Sequence, residues 1–158
     1  MRFLNTGSIC LIVALSCGLQ ASGAKARSLP PGVLTALASD EQAFCDQFLG
    51  QWKVTCHQTF RAHLLWRELL IAPSRQTAIL IENHNVGFCG SAGCSIYLFL
   101  QRDATCIQVL ETHGDTGTLR KVKVLKSITN GHYDLQKTWA DDKTQTIYRW
   151  NGSQYSAN

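Results

Sequence analysis

Proline is scarce in this 158-residue chain, at three residues, and charged side chains make up only 16% of it. With 45% apolar residues and twelve glycines that follow no repeat period, the composition excludes both a disordered and a collagen-like chain. No apolar run reaches the roughly 18 residues that a membrane span requires. Basic residues outnumber acidic ones by 15 to 11, but no run of four or more occurs, so a nucleic-acid partner is not expected. Cys-x-x-Cys is absent, which argues against a redox motif. No glycine loop ends in Gly-Lys-Ser/Thr, which excludes a phosphate loop. The five histidines, His57, His63, His84, His113 and His132, show no ligand spacing, so neither a metal nor another cofactor is expected.

What is present begins with a leader pattern. Arg2 supplies a positive start, Ile9 to Leu15 is an apolar run of signal-peptide length, and Ser22-Gly-Ala24 and Ala24-Lys-Ala26 offer small-x-small cleavage sites. The reading is a signal peptide over 1–26 and a single α+β domain over 27–158. The formal charge of +4 falls to +2 once Arg2 and Lys25 leave with the leader. Lipid attachment at Cys17 is the alternative, although Ala14-Leu15-Ser16 lacks the branched residue expected before a lipoprotein cysteine. The expected location is the periplasm or the exterior, which is oxidising.

In that compartment the cysteines become structural. Cleavage removes Cys10 and Cys17 and leaves Cys45, Cys56, Cys89, Cys94 and Cys106, an odd set with one thiol over. Cys89-Gly-Ser-Ala-Gly-Cys94 encloses four small residues, two of them glycines able to take the positive φ of a tight ring, so a Cys89–Cys94 disulfide is expected. Closing so short a ring contributes about 2 kcal/mol on the chain-entropy model. Cys45, Cys56 and Cys106 compete for the second bond, and Cys56 with Cys106 is favoured because both fall on expected strands.

The expected fold is α+β, an N-terminal helix packed on an antiparallel meander sheet. Ser39-Asp40-Glu41-Gln42 reads as a helix start before Ala43, Phe44, Phe48 and Leu49, and Gly50 as its stop. Trp52 to Phe60 alternates as a first strand, and Arg61 to Leu70 fits either a helix or a strand. Strands follow at Thr77–Ile81, Ser95–Leu100, Cys106–Leu110, Leu119–Leu125, Tyr133–Trp139 and Thr144–Trp150, with turn residues such as Asn130-Gly131 between them. Such short connections leave no room for crossover helices, so neighbours should pair antiparallel. Val122 and Val124 mark the buried face of their strand and Lys121 and Lys123 the wet one. Tyr133, Trp139, Tyr148, Trp150 and Tyr155 are expected to pack the C-terminal sheet.

Apparent catalytic motifs dissolve on inspection. Gly90-Ser91-Ala92-Gly93 lacks the Gly-x-Ser-x-Gly spacing of a nucleophile elbow, and Ser91 would sit inside a disulfide ring. His113 beside Asp115 reads as a solvated turn pair, and Asp141-Asp142 as a hairpin tip. No residue is assigned a catalytic role.

Three segments in order, Cys89-Gly-Ser-Ala-Gly-Cys94, Gly131-His-Tyr-Asp-Leu135 and Tyr148-Arg-Trp-Asn-Gly-Ser-Gln-Tyr155, carry a resemblance. Over roughly 86–155 the chain resembles a family of small exported bacterial proteins of unknown function. That family looks to share a Cys-Gly-x-x-Gly-Cys loop, a Gly-x-x-Asp-Leu strand start and a final Tyr-Arg-x-x-Gly-x-x-Tyr hairpin. Ala92 stands where such loops often carry glycine. The resemblance implies an exported α+β domain and no activity. A looser architectural similarity links the loop to exported lysozyme inhibitors, which project a disulfide-closed plug; the histidine such plugs insert is missing here.

The functional expectation is a non-enzymatic binding or inhibitor module of the cell envelope. Its binding loop is Phe88, Gly90, Ser91, Ala92 and Gly93, held by Cys89 and Cys94 and presented to a protein partner. The alternative is a cell-envelope hydrolase using His113 or His132 as its base.

Overall fold

Two strands carry apolar side chains on both faces, and a sheet built around them needs cover on each side. The computed structural model describes residues 28–47, 55–91, 93–102, 105–114, 121–139 and 143–157. The leader 1–26 with Cys17, the residues Trp52, Ala92, Asp115, Leu119 and Arg120, and the Asp141-Asp142 tip lie outside the described residues.

The helical start divides into three. Pro31 opens α1 (Pro31–Ala36), at the position where its missing N–H leaves no bond unmade. In α2 (Ala38–Gln47) Asp40 and Glu41 fall in the first turn, where carboxylates favour the helix dipole. The segment expected as a first strand is instead helical over its described part, α3 (Cys56–Ala62). Cys56 and Phe60 are its buried residues, and four positions apart they share one helical face.

That correction carries the second disulfide with it. Cys56 is bonded to Cys45, with a Cα separation of 5.4 Å, and Cys106 is the free thiol. The expected Cys56–Cys106 bond fails because Cys56, on a helix, faces Cys45 of α2 at disulfide distance, which leaves Cys106 on its strand packed against the helix-side core as a thiol. Beside the disulfide, Arg61 Nε donates to Glu41 Oε1 at 2.9 Å and His57 Nδ1 stands 3.2 Å from the same oxygen, a second tie between α2 and α3.

Among the described residues, nine strands make two antiparallel sheets. The first contains β1 (Leu64–Leu70), β2 (Thr77–Asn83), β3 (Cys89–Gly90), β4 (Gly93–Arg102) and β5 (Thr105–Gly114). β4 is its centre, pairing with β5 on one edge and with β2, continued by the short β3, on the other. The second is the meander β6 (Val122–Thr129), β7 (His132–Thr138), β8 (Gln145–Trp150) and β9 (Tyr155–Ala157). At the β6–β7 turn Asn130 and Gly131 have φ of 49° and 82°, both positive, as a two-residue hairpin turn of the primed type requires.

Alternation then assigns the layers. Ala78 and Leu80 on β2 and Ile96, Leu98 and Leu100 on β4 pack against Val122, Leu135, Tyr148, Trp150 and Tyr155 of the second sheet. The intervening Ile79, Ile81, Tyr97 and Phe99 pack against Val33, Leu37, Phe44, Cys45, Cys56 and Phe60 of the helices. The order is helices, first sheet, second sheet. Val122 is buried and Lys123 exposed, as their alternation predicts, and Tyr148, Trp150 and Tyr155 are core. Tyr97 Oη donates to Asp40 Oδ2 at 2.7 Å and ties the sheet to α2; burial and then this carboxylate push its pKa well above the usual tyrosine range.

Candidate functional site

The β2 strand leaves its apolar run at Glu82-Asn83-His84-Asn85, and the local structure there is built from side-chain hydrogen bonds. Asn83 Oδ1 accepts from the Asn85 backbone N–H at 3.1 Å and from Asn85 Nδ2 at 2.7 Å. Asn85 Nδ2 also donates to the Phe60 carbonyl at 2.9 Å, which pins the end of β2 to α3. Phe88 N–H then donates to the Asn85 carbonyl at 3.0 Å, so the chain turns back and enters β3. Gly87 takes φ of 93° in this turn, and a Cβ there would meet the Gln47 side chain at 3.0 Å.

The predicted Cys89–Cys94 disulfide is present. The two residues face each other directly across the β3–β4 pair with a Cα separation of 3.8 Å. Gly93 uses the positive φ that glycine allows, at 92°, and Gly90 does not. Cys89, Gly90 and Ser91 are exposed, whereas Cys94 is 1% exposed and Phe88 packs partly into the helix-side core. The Phe88 ring meets Phe60 edge-on at 6.0 Å, and the Phe88 carbonyl accepts from Ser95 N–H at 2.8 Å. The hairpin therefore has a wet tip on a buried, cross-linked base.

Beside this base is a cleft of about 370 Å³ that the sequence reading missed. Phe44 of α2 and Thr55, Cys56 and Thr59 around α3 form one wall; His63, His84, Asn85 and Val86 form the other. The lining is mostly apolar, and Val86 at the rim is 70% exposed. Below it Glu82 is fully buried, its Oε1 2.9 Å from His84 Nε2. One signal in the sequence points here: Glu82 and His84 sit two apart, hence on the same face of a strand that is otherwise apolar.

Among the described residues, two trios place ligand-type atoms within 4.8 Å of one another, Glu82 with His84 and Cys94, and Cys45 with Cys56 and His57. In both the sulfur is committed to a disulfide and is no thiolate donor.

The histidines singled out for a hydrolase lie elsewhere. His132 stacks on Trp150 with centroids 4.2 Å apart, its Nε2 is 3.1 Å from Gln76 Oε1, and its Nδ1 is 3.3 Å from the Asn130 carbonyl. Both ring nitrogens thus have protein partners. His113 on β5 is exposed, with Nδ1 3.5 Å from Ser95 Oγ, at the far limit of a hydrogen bond, and Ser95 is held in mid-sheet between β2 and β5. The structure brings neither histidine to the cleft.

Among the described residues no helix is long and apolar enough to cross a membrane. Comparisons with protein-family models, with curated proteins and with solved structures return no match.

Proposed function

We propose that this protein is an exported, non-enzymatic binding or inhibitor module of the cell envelope, which engages a protein partner through the Phe88–Gly93 hairpin tip and the adjoining cleft. The observation that carries this reading is the pairing of a rigid exposed tip with an apolar recess at its base. Gly90 and Ser91 offer backbone groups to a partner, and the disulfide has already restricted their freedom, so less ordering entropy is lost on binding. The cleft, rimmed by Val86, suits one large apolar side chain of that partner. Two disulfides accord with an oxidising compartment. The leader pattern and the resemblance over 86–155 support export.

The test is capture of the partner from the exported fraction through a photo-crosslinker at Ser91, compared across two variants. Val86→Asp puts a charge at an exposed rim position and should abolish capture while stability changes by less than about 0.5 kcal/mol. Cys89→Ser with Cys94→Ser should cost about 2 kcal/mol of stability and weaken capture even where the fold is intact. Equal capture by both variants and the parent would overturn the reading.

A further inference from the structure

We propose that His63 and His84 form a bis-imidazole site for a late first-row divalent transition metal at the mouth of the cleft, with copper(II) held more tightly than zinc(II). The two residues are 21 positions apart in sequence, which is why their spacing gave no ligand pattern. Chain pairing brings them together: the His84 N–H donates to the His63 carbonyl at 3.0 Å, where α3 hands over to β1 and β2 ends. Both side chains line the same cleft.

The donor nitrogen of each ring follows from what that ring touches. His63 Nδ1 lies 2.8 Å from the Thr59 carbonyl, an acceptor only, so that nitrogen carries the proton and Nε2 keeps its lone pair. His84 Nε2 lies 2.9 Å from the Glu82 carboxylate. That approach lacks hydrogen-bond geometry and Nε2 is buried, so Nδ1 is the nitrogen of this ring that an ion in the cleft can reach. Metal-binding histidines commonly donate their second ring N–H to a carbonyl or a carboxylate, which fixes the ring and raises its basicity. His63 has such an orienting oxygen in the Thr59 carbonyl.

A third donor stands next in the chain. Asn85 also lines the cleft and is 2% exposed, and its Oδ1 has no hydrogen-bond partner. Its amide orientation is set by the two acceptors on Nδ2, the Phe60 carbonyl and Asn83 Oδ1, so the unpaired atom is the oxygen. Imidazole nitrogens with one carboxamide oxygen and water suit copper or zinc rather than calcium or magnesium, which prefer all-oxygen shells.

The experiment adds copper(II) to the oxidised, folded protein at neutral pH and records its electron paramagnetic resonance. The expected result is one ion per chain coupled to two imidazole nitrogens. His63→Ala and His84→Ala should each lose the two-nitrogen signature. A two-nitrogen spectrum that survives both alanine variants, or no such spectrum in the parent, would overturn the assignment. Because a variant could misfold, the parent protein supplies a second reading: substoichiometric copper(II) should broaden the ring resonances of His63 and His84 first. Earliest broadening at His57, His113 or His132 would also overturn it.

Discussion

Phe60→Ala is the most informative single perturbation, because Phe60 sits where the helices, the first sheet and the base of the hairpin meet. Its side chain is 0% exposed, and its ring lies 5.7 Å from Phe44 and 6.0 Å from Phe88. Truncating a buried phenylalanine costs about 3–5 kcal/mol, from lost transfer free energy and the cavity left behind. The two aromatic pairs, each worth roughly 0.5–1.5 kcal/mol beyond area, place this site toward the upper half of that range. The hydrogen bond from Asn85 Nδ2 goes to the Phe60 backbone carbonyl and should survive. A loss of about 4 kcal/mol is large against the roughly 5–15 kcal/mol stability of an ordinary domain, so the variant should fold but with little margin. Urea denaturation followed by tryptophan fluorescence measures the loss. Hydrogen exchange adds a local readout: the Ser95 N–H, bonded to the Phe88 carbonyl, should lose protection as Phe88 loosens. Phe60→Leu should recover most of both effects. A loss below about 1 kcal/mol would refute the packing of α3 on the sheet, since no fully buried aromatic ring is removed so cheaply.

Peptide mapping without reduction should find Cys45 joined to Cys56 and Cys89 joined to Cys94. Burial raises the Cys106 thiol pKa, so its alkylation at neutral pH should be slow until the protein is unfolded; a Cys56–Cys106 peptide would contradict the helical placement of Cys56. Tyr97 and Tyr155 both have raised pKa values, chiefly through burial, with Asp40 and Asp134 respectively adding to the effect. Above about pH 10 the unfolded chain releases these two protons while the folded protein keeps them, so stability should be level below that pH and fall as pH rises beyond it. Tyrosinate absorbance should show Tyr97 and Tyr155 titrating late, and Tyr97→Phe should remove one of these two late steps. Removal of no late step by Tyr97→Phe in the folded protein would refute it.

How much of this was legible beforehand follows from the range of each interaction. The apolar runs Thr77–Ile81 and Ser95–Leu100, the Asn130-Gly131 turn and the Cys89–Cys94 ring are specified by neighbours within a few residues, and each is found where the local pattern places it. Period-2 alternation likewise put Val122 inward and Lys123 outward. The segment ending at Phe60 was misjudged because loose alternation over a few residues does not distinguish a strand from a short helix, and packing of Cys56 and Phe60 against α2 decided for the helix. The Cys45–Cys56 bond depended on that decision. A single meander was expected, and the strands divide into two sheets because which segments cover each face is a question of long-range contact.

The cleft itself was beyond sequence reasoning for the same reason, although the spacing of Glu82 and His84 puts both on one strand face. His63 and His84 look unrelated until β1 and β2 pair, and Glu82 looks like an ordinary surface carboxylate until the sheet buries it beside His84. Sequence by itself determined the fold class, the strands over Ser95–Leu100, Tyr133–Thr138 and Gln145–Trp150 and the disulfide hairpin, because these rest on local geometry and side-chain period. Tertiary structure alone decided the second disulfide, the helical wall and the paired histidines, because each joins residues whose proximity exists only once distant segments have packed.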